Sequence, residues 1–156
     1  MLWIGILIAG WATGCAAEPP TPPVTHSFVC ALSVAGQEQT FDGTLTVEQN
    51  GLTWALSAPE TLAGCTVTAD GQTVRLSVPE GEALTTELGV LPQAGILPVL
   101  WDVLAAEQPT AADGQLTGEV SGGVYVLQYD PETGYLQKLT LKGGGWEATF
   151  SAVREY

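Results

Sequence analysis

The chain has 156 residues, 46% of them apolar and 13% charged, with four Lys and Arg against 17 Asp and Glu and a formal net charge of −13. This balance excludes nucleic acid as a partner, because neutralising phosphates takes basic side chains, and it repels anionic lipid headgroups. The apolar share is too high for a disordered acidic tail, and about 130 residues past the N-terminal segments are enough for one domain with its own core.

The chain opens MLWIGILIAGWATGC. Its apolar run, Leu2 to Ala12, falls well short of the roughly 20 residues that a spanning helix needs. It fits the hydrophobic region of a secretory signal followed by small residues. Cys15 comes directly after Ala12-Thr13-Gly14, which resembles a bacterial lipobox. In a lipobox, small residues precede a cysteine that is lipidated and becomes the mature N-terminus. The segment after it, AAEPPTPPV, has four prolines in nine residues. Proline fixes φ and removes amide donors, so this stretch reads as a semi-rigid extended spacer. The expected organisation is a lipoprotein signal peptide over 1–14, a lipidated Cys15 with a Pro-rich tether over 15–26, and a β-rich domain over 27–156. The expected location is the extracytoplasmic face of a cell membrane (the periplasmic side in a Gram-negative envelope), with the membrane reached through the N-terminal lipid.

From Phe28 the apolar residues recur at every second position, the period of a half-buried strand. Phe28, Cys30, Leu32 and Val34 share one face, as do Phe41, Leu45 and Val47 in the next run. Asn50-Gly51 is a hairpin signal, followed by Leu52, Trp54 and Leu56. A second hairpin turns at Asp70-Gly71, with Cys65, Val67 and Ala69 before it and Val74, Leu76 and Val78 after it. Five alternating strands joined by short turns predict an antiparallel meander with one apolar and one wet face.

The middle of the chain changes period. Ile96, Leu97, Leu100, Trp101, Val103 and Leu104 follow helical spacing, with Pro98 tolerated in the first turn. A helix this apolar needs cover, and the apolar face of the sheet supplies it. Four further strands follow. Tyr125, Leu127 and Tyr129 share a face, Leu139 and Leu141 another, and Trp146, Ala148, Phe150 and Ala152 the last. Asp130-Pro131-Glu132-Thr133-Gly134 has turn chemistry, and the clusters Gly122-Gly123 and Gly143-Gly144-Gly145 read as hairpin loops or bulges. The predicted fold is mainly β with one or two helices: a curved antiparallel sheet wrapped around an apolar helix.

Few residues offer chemistry. The single histidine, His26, adjoins the tether, and a metal site needs several converging ligands, so no metal and no cofactor are expected. No G-x-S-x-G occurs, and no base is evident beside Cys30 or Cys65. The chain is expected not to be an enzyme. Cys30 and Cys65 stand between two readings, a disulfide in an exported chain and two buried thiols.

The order F.G.L.V, then L.W.LS.PE.L.G, an apolar helix, and GGVYVLQYDPETGYLQKLTL resembles the LolA-like fold of lipoprotein-sorting proteins. That group takes in LolB- and LppX-type proteins and small clostridial lipoproteins, one of them acting in spore germination. The resemblance spans Ser27 to Val153 and implies an open half-barrel with a hydrophobic cavity for acyl chains. On that reading Trp54, Leu56, Val67, Leu76, Leu97, Leu100 and Trp101 surround a lipid or acyl ligand. The rival reading is a lipoprotein partner of a cell-envelope or spore-cortex enzyme, with a filled core and its edge strands or acidic face at work. A cavity above about 300 Å³ favours the first; a filled barrel with an exposed edge or apolar patch favours the second.

Overall fold

In the computed structural model of the chain, residues 27–105 and 114–155 are described. The signal peptide expected over 1–14, Cys15, the tether over 15–26 and His26 lie outside them. The elements follow in the order β1 (Phe28–Ala35), β2 (Thr40–Glu48), β3 (Gly51–Ala58), β4 (Thr66–Ala69), β5 (Thr73–Ser77), β6 (Leu84–Glu87), α1 (Ile96–Ala105), β7 (Gln115–Val120), β8 (Gly123–Tyr129), β9 (Leu136–Leu141) and β10 (Glu147–Glu155). Short 3-10 turns occupy Glu60–Leu62 and Leu88–Val90.

The ten strands among the described residues join one antiparallel sheet in the order β6-β5-β4-β3-β2-β1-β10-β9-β8-β7. The sheet does not close, because β6 and β7 end it on opposite sides. The alternation read from the sequence places one apolar face inward. Phe28, Cys30, Leu32 and Val34 are buried in β1, Leu52, Trp54 and Leu56 in β3, and Tyr125, Leu127 and Tyr129 in β8. Among the described residues no charged side chain is buried.

The topology dictates where the helix goes. The chain leaves β6 at one edge and re-enters at β7 at the other, so the connection must cross the sheet. α1 lies in that connection, and Val99, Leu100 and Val103 are at most 1% exposed within the same core as the strands. Each such side chain contributes about 1.5–3 kcal/mol through burial. Pro98 sits in the first turn, where its missing N–H costs little. The Val99 N–H donates to the Gly95 carbonyl at 3.2 Å and opens the helical ladder.

Several local expectations are corrected. The β2–β3 hairpin turns on Gln49-Asn50, since Glu48 pairs with Gly51 and Gly51 already belongs to β3. β6 adds a tenth strand in a stretch with no alternation of burial: all four of its residues are exposed. Val78, expected inward, lies just past β5 and is 37% exposed. Ala152 also faces out. Val29 pairs with Arg154 and Ala31 with Ser151, so β10 carries one extra residue there, a bulge. Ala152 takes a φ of 51° within it, and Val153 assumes the inward position against the core.

Cys30 and Cys65 are free thiols, both buried. Cys30 on β1 is separated from the start of β4 by β2 and β3. Three strand spacings amount to about 14 Å, well beyond the Cα separation that a disulfide spans. The disulfide alternative is thereby overturned.

Candidate functional site

The inward face does not fill completely. One end of it holds a cavity of about 350 Å³. Its floor is a row fixed by register: Trp54 of β3 faces Val67 of β4, which faces Leu76 of β5. Val34 and Gly36 from the end of β1, Phe41 of β2 and Leu56 of β3 extend that floor, and Leu62 from the 3-10 turn after β3 adds to the wall. Ile96 and Leu97 from the first turn of α1 and Trp146 from before β10 complete the lining. Apart from the indole nitrogens of the two tryptophans, no side chain in the lining can hydrogen-bond.

The cavity persists because the loop entering α1 is held in place. The Trp146 indole Nε1 donates to the Ala94 carbonyl at 2.9 Å, linking the start of β10 to that loop. From the other side, Gly122 in the β7–β8 turn packs so closely that a Cβ there would meet the Gln93 carbonyl and come within 3.0 Å of the Ala94 Cα. The helix is therefore pinned at its entry and buried at its middle, and its first turn roofs the open space. Trp54 keeps a buried indole N–H with no partner among the described residues. It lies against Gly43, where a Cβ would stand 2.8 Å from Nε1.

Of the seven residues expected around a ligand, Trp54, Leu56, Val67, Leu76 and Leu97 line the cavity. Leu100 and Trp101 do not. Leu100 is wholly buried in the packed part of the core. Trp101 reaches away to the β4–β5 turn, where Gly71 takes a φ of 86° and a Cβ would meet the indole at 2.5 Å. Helical spacing puts both residues on the inward face, but one face of a helix can meet both packed core and open space. Among the further lining residues, the alternation marks Phe41 and Trp146 as inward, and Val34 as the last residue of the β1 stripe. The helical spacing marks Ile96 as it does Leu97, whereas Leu62 sits in a turn, where no period flags it.

The titratable groups lie apart from the cavity. Burial pushes the Cys30 thiol up to about 12, so it stays protonated at neutral pH. Partial burial on α1 raises the Asp102 carboxyl above its ordinary range. Asp70 is lowered by the N–H groups of Thr73 and Gln72, which donate to its Oδ1 at 2.7 and 3.0 Å, and by the Thr73 hydroxyl on Oδ2 at 3.0 Å. Asp130 does the same turn work, accepting from the N–H of Glu132 at 2.8 Å and of Thr133 at 3.3 Å. Lys138 pairs with Glu147 at 3.0 Å across β9 and β10, an exposed pair of small consequence. Among the described residues no group of three or more His, Cys, Asp or Glu converges in a way that could hold a metal ion.

No family model matches this chain, and no curated protein matches it. Solved structures do. An uncharacterized conserved protein from Thermus thermophilus is similar at 8% identity, over 85% of this chain and 80% of that one, with a TM-score of 0.53. A LolA superfamily protein from Nitrosomonas europaea is similar at 11% identity, over 85% and 87%, with a TM-score of 0.43. A chain in the structure of the CwlD amidase from Clostridioides difficile in complex with the GerS lipoprotein is similar at 15% identity, over 84% and 82%, with a TM-score of 0.41. At these identities the likeness is one of fold alone, and only the first, above 0.5, bears weight.

Proposed function

We propose that this chain is a non-enzymatic, lipid-anchored extracytoplasmic protein that holds a hydrophobic ligand of acyl type in the cavity under α1. The observation that carries the reading is the cavity itself: about 350 Å³ with an apolar lining, above the roughly 300 Å³ at which ligand pockets begin. A partner protein with a wholly filled core would leave no such space. An apolar lining without a fixed charge suits an aliphatic tail, while a polar head would stay at the solvent side. Cys15 is the residue that would carry the anchor, and the prolines after it would hold the domain off the membrane.

Native mass spectrometry of residues 27–156, exported to the periplasm of a bacterial host, tests the ligand. The expected spectrum shows a co-purifying mass that solvent releases and that is lipid in composition, together with saturable uptake of a fluorescent fatty acid. Leu97→Trp should fill the cavity from the helix side and weaken that uptake roughly tenfold. A bare chain mass with no uptake would overturn the reading. For the anchor, metabolic labelling of the full chain with an alkyne fatty acid should mark it, and Cys15→Ser should abolish the label.

A further inference from the structure

The strand that the sequence pattern did not disclose, β6, is one of the two edges of the sheet, and all four of its residues are exposed. Among the described residues nothing pairs with its outer side. The three large apolar side chains exposed among the described residues are Val78, Leu84 and Val90, at 37%, 68% and 71%, and all three lie in or beside this strand. Leu84 pairs with Leu76, which lines the cavity. Side chains on directly paired residues share a face of the sheet, so the apolar floor runs on from the cavity through Leu76 to Leu84 and stops there uncovered.

The hydrogen-bonding direction of β6 follows from one contact. The Leu88 N–H donates to the Gln72 carbonyl at 2.7 Å, so position 88 points its backbone toward β5. In an antiparallel ladder such residues alternate. Thr86 and Leu84 therefore bond toward β5, opposite Val74 and Leu76. Thr85 and Glu87 turn their N–H and C=O groups outward. An edge of this kind is a template for another strand unless charge, proline or cover blunts it. Here the charge is of one sign. The segment from Val78 to Val90 carries Glu80, Glu82 and Glu87 and no Lys or Arg. Those carboxylates oppose a second copy of this acidic chain and favour a strand with basic side chains.

We propose that β6 is a docking edge for an extended, basic segment of a partner protein. That segment adds as an eleventh strand through the outward backbone groups of Thr85 and Glu87. Alternate apolar residues cover Leu84, and basic residues on the other face meet Glu87. This site is independent of the cavity and of whatever the cavity holds.

The test uses the full chain in nanodiscs of zwitterionic lipid and two short synthetic peptides, one alternating valine with lysine and one alternating valine with glutamate. The lysine peptide should bind saturably, at least roughly tenfold tighter than the glutamate peptide, and should slow hydrogen exchange at the Thr85 and Glu87 amides. Thr85→Pro removes one outward N–H and leaves the β5 side of the ladder intact, a substitution that edge strands accept. It should weaken lysine-peptide binding by roughly tenfold or more with the melting curve unchanged. Glu82→Gln with Glu87→Gln should weaken binding and flatten its salt dependence. Three results would overturn the proposal: no exchange protection at Thr85 and Glu87, undiminished binding by the Thr85→Pro chain, or a dimer in which a second copy already protects those amides.

Discussion

Asp102 is the acid that the helix carries across the concave face, and its environment acts against its charge. Burial without a cationic partner raises its folded-state pKa above the unfolded value. The folded chain therefore holds its proton to higher pH than the unfolded chain does. Stability is unpenalised below the ordinary carboxylate range and falls as pH rises through the shifted value. Asp102→Asn should raise the melting temperature at pH 7 and leave it unchanged at pH 3; a melting curve unaltered at both would show the charge to be fully solvated. Asp70 has the opposite sign, because hydrogen bonds from Thr73 and Gln72 favour its charged form. Its contribution is present above the unfolded pKa and is lost as pH falls through the lowered one. At this scale the sequence was partly legible. Asp70 and Asp130 announce their turns because an aspartate followed by Gly or Pro leaves few other conformations. That Ala152 faces out was not legible, because a one-residue bulge reverses the inward parity and leaves no mark on composition.

The elements divide by how regular their environment is. Strands β1 to β5 and β8 to β10 alternate because each has one wet and one dry face, so their inward residues could be read directly up to the bulge in β10. β6 could not, since an edge strand with four exposed residues buries nothing that would impose a period. The helix is intermediate. Its spacing disclosed α1 and Pro98 marked its first turn, but which of its residues meet open space depends on how the entering loop is held. That loop rests on the bond from Trp146 to Ala94 and on the approach of Gly122. Trp146→Phe keeps most of the ring and removes the donor. It should cost about 0.5–1.5 kcal/mol, measured by urea unfolding, and it should loosen the cavity roof enough to speed ligand release. An unchanged release rate would place the helix under the control of its buried middle alone.

For the whole molecule, the core and the cavity are one apolar face used in two ways. Leu100 is in the packed part and Leu97, three residues earlier, is in the open part. Leu100→Ala should therefore lower stability by about 2–5 kcal/mol while leaving fatty-acid affinity within about threefold, the spread that context alone can produce. Leu97→Trp should do the reverse, with weakened uptake and a preserved melting temperature. Matched losses in both variants would mean that stability and uptake cannot be separated. The order of residues along the chain was enough to specify the strand-rich class, the inward stripe of each regular strand, its wet outer face and the crossing helix. Those follow from local period and from the cost of burying polar groups. It took the packed fold to set Cys30 and Cys65 apart, to turn Leu100 and Trp101 from the cavity, and to end the sheet at β6 with its amides outward. Each of these depends on strand order or on the shape left between packed elements. A single apolar residue carries the same signal whether its neighbour is another side chain or open space.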